Sequence, residues 1–167
     1  MRSIIVTGAD GMGKSTLVSE FEFYGVAVRH DGGPVQSFED AQARCLEAAR
    51  FEGVTDRCVA TDDPIYSKAL NREIHVPTEM YDHFLVLWDP LIVFVESLPA
   101  RIDRELKPHK PPELLEAIVE NAFLIQNAYR QRMEHLQGLG LSVIEYNWRE
   151  VPMSTYDFIR NCLSCAD

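Results

Sequence analysis

Two kinds of block alternate along the chain: short unbroken apolar runs, and longer stretches in which apolar residues return every three or four positions. That is the pattern of buried parallel strands joined by helices. The first run lies within Arg2 to Thr7, where Ile4, Ile5 and Val6 follow one another without a polar break. A glycine-rich turn comes next, then a stretch suited to a helix from Lys14 to Phe23, which Gly25 ends before a second apolar run of Val26, Ala27 and Val28. Asp31, Gly32, Gly33 and Pro34 read as a loop. Ser37 can cap a helix running through Arg50, with Phe38, Ala41, Leu46 and Ala49 on its inner face.

The pattern from Phe51 to Thr61 is ambiguous, and a short strand ending near Asp56 is the preferred reading because a parallel sheet would place its carboxyl end beside the glycine-rich turn. Asp62 or Asp63 can then cap a short helix with Pro64 in its first turn, and Thr78 can open another helix towards Leu87. Leu91 to Val95 is the clearest later strand. Lys107 to Pro112 breaks the pattern. From Glu113 to Leu136 the helical spacing of Leu115, Ile118, Ala122, Ile125, Tyr129 and Met133 predicts one long helix, ended by Gly138 and Gly140. Leu141 to Tyr146 is the last strand, and Ser154 or Thr155 opens a final helix. With no repeat, low-complexity tract or linker, residues 1–167 are expected to form a single α/β domain.

Charge and composition narrow the options. Sixteen Lys plus Arg against twenty-six Asp plus Glu leave a formal charge of -10, which disfavours unspecific attraction to a polyanion. No apolar stretch reaches membrane-spanning length and the opening apolar run is too short for a signal peptide, so a cytoplasmic protein without membrane partners is expected. Four cysteines in that setting read as reduced thiols. Cys162 and Cys165 stand alone as a pair, without the second pair a zinc site needs, and read as residues of the last helix.

The chemistry sits in the first turn. Gly8, Ala9, Asp10, Gly11, Met12, Gly13, Lys14 and Ser15 match G-x-x-x-x-G-K-[ST] between a buried strand and a helix, the context in which the motif has meaning. Glycines let backbone N–H groups turn inward around phosphate oxygens, and the helix N-terminus favours the anion. Lys14 can reach the β and γ phosphates of a nucleoside triphosphate such as ATP, and the Ser15 hydroxyl can ligate Mg²⁺. A guanine-reading N-K-x-D segment is missing, which argues against a switch GTPase.

The fuller string from Thr7 to Thr16 resembles the thymidylate kinase form of this loop, which carries an aspartate where Asp10 stands. Asp56, Arg57, Cys58, Val59, Ala60, Thr61, Asp62, Asp63, Pro64, Ile65 and Tyr66 look like the D-R segment of thymidylate kinase-like and deoxynucleoside kinase-like proteins, which include many bacteriophage members. The resemblance implies a three-layer αβα P-loop kinase with a parallel sheet of about five strands and a short lid. It places Gly8, Asp10, Gly11, Met12, Gly13, Lys14, Ser15 and Thr16 around ATP, and Ser15 and Asp56 at Mg²⁺. Arg57 would lie between donor and acceptor phosphates, and Asp56 would hold the metal shell or take the acceptor proton. Asp10, Asp63 and Tyr66 would contact the acceptor, while Arg101 and Arg104 would close over the triphosphate with Lys107, His109 and Lys110 nearby. Tyr66, Tyr81 and Trp88 could stack on a base, although aromatics more often fill a core.

The expected reaction is transfer of the γ-phosphate of ATP to a deoxynucleotide or deoxynucleoside. The second reading keeps the chemistry and makes the acceptor DNA, at a strand end or a hydroxymethyl-pyrimidine. A homodimer is compatible with the sequence, which does not set the oligomeric state. A phage-encoded member would work in the host cytoplasm.

Overall fold

The protein was analysed as a computed structural model in which residues 2–96, 120–148 and 153–166 are described. The segment expected to form the lid, with Arg101, Arg104, Lys107, His109 and Lys110, lies outside them, as does most of the stretch from Glu113 to Asn121 that the spacing assigned to the long helix.

Five parallel strands form one sheet in the order β2-β3-β1-β4-β5. They are β1 (Ile4–Thr7), β2 (Val28–His30), β3 (Val54–Asp56), β4 (Leu91–Glu96) and β5 (Val143–Asn147). Among the described residues six helices connect and cover them, α1 (Lys14–Phe23), α2 (Phe38–Arg50), α3 (Val59–Ala69), α4 (Thr78–Trp88), α5 (Ala122–Gly138) and α6 (Thr155–Ala166). This is the α/β architecture of about five parallel strands that the sequence implied. Helix α1 packs against α6, and α3 packs against both α4 and α5. Every residue of β1, β3 and β4 is buried, which accounts for the unbroken apolar runs Ile4 to Val6 and Leu91 to Val95.

The central strand β1 pairs with β3 on one side and β4 on the other, with Val6 level with Asp56 and Thr7 level with Phe94. From β1 the chain passes to the sheet edge at β2, returns to β3 beside β1, and then crosses to the other side of β1 for β4 and β5. Ligands of open parallel sheets bind in the crevice that such a reversal leaves at the carboxyl ends of the strands.

Three local expectations need correction. Strand β2 begins at Val28 rather than Val26, because Gly25 closes α1 with φ 81° and the Val26 N–H donates back to the Phe21 carbonyl at 3.1 Å. That closure uses the first residue of the apolar run as part of the helix cap. On α2, Ser37 does cap, accepting from the Asp40 N–H at 3.1 Å, but the inward face is Ala41, Cys45 and Ala48, while Phe38 and Leu46 are exposed. The third correction moves the start of α3 to Val59, after Cys58, so Asp62 and Asp63 are interior residues and Pro64 sits inside the helix.

Candidate active site

The loop from Gly8 to Gly13 joins β1 to α1 at the crevice. Two of its glycines are required by shape. At Gly8, with φ 145°, an added Cβ would fall 2.4 Å from the Val95 carbonyl oxygen. At Gly13, with φ 83°, it would fall 2.4 Å from Nε1 of Trp148, the residue after β5. Gly8→Ala is therefore expected to cost roughly 3 kcal/mol or more, since neither backbone can yield, whereas Gly25→Ala meets open space and should cost about 1 kcal/mol from its positive φ alone. Urea unfolding of the two variants checks the difference.

Lys14 is buried at the start of α1 and donates from Nζ to the Ala9 carbonyl at 2.6 Å. Burial, reinforced by the Arg57 charge, brings its pKa down to about 8 against opposing pulls from Asp10, Asp62 and Asp56. An ammonium so placed lacks solvation that an anion at the loop would supply. Ser15 and Thr16, the next residues of α1, are exposed, and Met12 is buried against the Gln126 amide of α5, Sδ to Nε2 at 3.3 Å.

Opposite the loop, Arg57 follows the end of β3 with φ 66° and donates its N–H to the Val6 carbonyl at 2.9 Å. A left-handed arginine is strained, and strain of this kind gathers at functional sites. Its guanidinium forms an ion pair with Asp10, joining β3 to the glycine-rich loop. Burial works against the Arg57 charge, but the Asp10 carboxylate outweighs it and holds the guanidinium firmly protonated.

A cleft of about 130 Å³ opens beside this pair. Asp10, Arg57, Asp62, Asp63 and Tyr66 line it, so four of the residues expected to serve the acceptor meet in one place. The Tyr66 phenol is pushed up by burial and by the Asp10 charge, so it stays neutral. Asp63 accepts from Ser67 at 3.0 Å and from Tyr81 at 3.1 Å. Asp62 accepts from the Thr7 and Thr61 hydroxyls, and its second oxygen is buried without a partner. Burial raises the Asp62 pKa, opposed by Arg57 and the Thr7 hydrogen bond.

Asp56 does not line this cleft. It lies at the end of β3, where Oδ2 meets Nδ1 of His30 at 2.9 Å and Oδ1 is buried without a hydrogen-bond partner. Neither Tyr81 nor Trp88 lines the cleft: Tyr81 is buried and hydrogen-bonded to Asp63, and Trp88 packs on Phe84 with ring centroids 5.6 Å apart.

Three charged lining residues were missed from the sequence: Asp31, Arg44 and Arg72. Asp31 follows β2 as Arg57 follows β3, and its N–H donates to the Asp56 carbonyl at 3.0 Å. Arg44 on α2 donates to Asp31 at 2.8 Å and to the carbonyls of Gly32 and Gly33 at 3.3 and 3.2 Å, fixing the loop after β2. An acid directly beyond a parallel strand is the signal that would have found Asp31; placing β2 two residues early concealed it.

A glycine-rich strand-to-helix loop at the reversal point of a parallel 2-3-1-4-5 sheet is the fold shared by P-loop kinases of nucleosides and nucleotides. Deoxyadenosine kinase from M. mycoides, solved with the products dCMP and a flexible dCDP, superimposes with a TM-score of 0.61 at 16% identity, over 98% of this chain and 97% of that one. The same enzyme with bound dATP gives 0.59, again at 16% identity, over 98% of each chain. Thymidylate kinase from Candida albicans gives 0.59 at 11% identity, over 98% of this chain and 90% of that one. No family model and no curated protein sequence matches the chain. Among the described residues no helix is long and apolar enough to cross a membrane.

Proposed function

We propose that the protein is a kinase that transfers the γ-phosphate of ATP to a deoxynucleoside or deoxynucleotide. The observation that carries this reading is the Asp10–Arg57 pair, which ties a lysine-bearing phosphate loop to a separate cleft lined with carboxylates and guanidiniums. Phosphoryl transfer needs two bound partners in line and cations around the moving group, and little else from the protein. The backbone from Gly8 to Thr16 holds the triphosphate, Lys14 neutralises its β and γ phosphates, and Arg57 stands where donor and acceptor meet. Arg101 and Arg104, outside the described residues, would add positive charge to the triphosphate. Asp10, Asp63 and Tyr66 hold the acceptor, with Asp31, Arg44 and Arg72 beside them.

Mg²⁺ would bridge phosphate oxygens and screen their charge. The exposed Ser15 hydroxyl and the partnerless Oδ1 of Asp56 suit a hard cation and its water shell. With Asp56 outside the cleft, the acceptor hydroxyl is better served by Asp31, which lines it.

The depressed pKa of Lys14 gives a direct check on the donor site. A bound polyanion favours the ammonium, so nucleotide binding near pH 9 should take up a proton, and calorimetric enthalpies should vary with buffer ionisation enthalpy. At about pH 6.5 Lys14 is already charged, so its proton uptake should vanish and leave only the proton release of the nucleotide's own terminal phosphate. In the free protein the sign is equally fixed. Between about 8 and 10.5 the unfolded lysine binds more protons than the folded one, so the Lys14 contribution makes stability rise with pH across that window.

One observation favours a DNA acceptor as the second reading: Arg72 lines the cleft and forms no ion pair among the described residues, leaving a charge for a further phosphate. Labelled ATP offered to mononucleosides, mononucleotides and oligonucleotides decides. Label is expected in a free nucleoside or nucleotide, with a shallow response to salt. Label only in an oligonucleotide carrying hydroxymethyl-pyrimidine, falling steeply with salt, would overturn the free acceptor.

A further inference from the structure

Helix α3 carries Asp62, Asp63 and Tyr66 to the acceptor cleft, yet it contains a proline one and two positions beyond those aspartates. Pro64 has no N–H, so the carbonyl four residues earlier, that of Ala60, loses its partner within the helix. Ala60 is fully buried, out of reach of bulk solvent. The donor comes instead from α5: Nη2 of Arg132 reaches the Ala60 carbonyl at 3.1 Å, across 72 positions of sequence. Its other terminal nitrogen, Nη1, forms an ion pair with Asp82 of α4, and Asp82 is held in turn by Nε2 of His135 at 2.8 Å. Arg132 is itself buried, so one guanidinium fastens three helices from inside the fold.

We infer that Arg132 is a positioning residue for the acceptor site: it supplies the hydrogen bond that Pro64 removes from α3, and so fixes the turn that presents Asp62, Asp63 and Tyr66. Lysine could not replace it, because a single ammonium cannot reach a carbonyl and a carboxylate in the forked geometry of a guanidinium. The inference rests on the cleft being the acceptor site, a reading that Asp63→Asn tests separately through acceptor KM, since Asp63 lines the cleft while Arg132 bonds to Ala60 and Asp82 instead.

The proline makes the idea testable in a second way. Alanine at position 64 restores an N–H that can reach the Ala60 carbonyl from within the helix. Arg132→Met is expected to raise the acceptor KM about tenfold while the Kd for ADP moves less than about twofold, and Pro64→Ala in the same chain should bring KM back to within about threefold of the parent. Thermal midpoints should show the same coupling, the double variant melting above Arg132→Met alone. If that single variant does not fold, the double variant is expected to fold and to bind acceptor. The inference is overturned if Pro64→Ala restores neither stability nor KM. It is equally overturned if donor and acceptor constants rise together, or if stability couples while acceptor KM stays at the parent value.

Discussion

Lys14→Ala is expected to fold normally and to lose phosphotransfer by a factor of about 10² or more. Both halves follow from the same burial. In the free protein Lys14 is desolvated and its one hydrogen bond is to the Ala9 carbonyl, so removing it takes away a charge that folding disfavours. Stability should change by no more than about 1 kcal/mol, in either direction. Catalysis depends on the opposite condition, an ammonium stabilised by the phosphates it neutralises, and nothing else described in the loop carries a positive charge. The measurement is kcat/KM alongside a thermal melt. A folded variant with near-normal turnover would refute the assignment of the loop.

Arg57 gives the second large effect, and its backbone allows activity to be separated from folding. At φ 66° any side chain is strained except that of glycine, while transfer across the Asp10–Arg57 junction needs the guanidinium. Arg57→Ala and Arg57→Gly should therefore both lower kcat by about 10² or more, yet the glycine variant should be the more stable of the two by roughly 0.5–1 kcal/mol. Two variants equally inactive but unequally stable separate the chemical role from the structural one. Equal activity to the parent in either would leave Arg57 as a strand-end ion pair only.

How far the sequence reached depended on whether a feature is local. The phosphate loop was legible because its spacing encodes backbone conformation: Gly8 and Gly13 are glycines for reasons a single turn contains. The end of β3 was placed less by pattern, since Val54, Thr55 and Asp56 hold a single apolar side chain, than by the position a parallel sheet gives a strand end beside the loop. Helix α3 was misjudged because Cys58 provides no side-chain cap, so the acids at 62 and 63 offered the nearest cap signal. On α2 the buried stripe runs through Cys45 and two alanines, where larger apolar neighbours drew the eye. Asp10 with Arg57, and Arg132 with the Ala60 carbonyl, join positions 47 and 72 apart, and no local periodicity announces such pairs.

The indole of Trp148 has a practical consequence. The chain has only two tryptophans, and this one rests on Gly13 of the phosphate loop, its Nε1 buried and without a partner, its ring edge-on to Tyr146 at 4.9 Å. The other, Trp88, ends a helix on Phe84. Emission from Trp148 should register a rearrangement of the glycine-rich loop, so a Trp88→Phe protein carries a single tryptophan, placed beside that loop. Nucleotide affinity can then be titrated without a label and before any acceptor has been found.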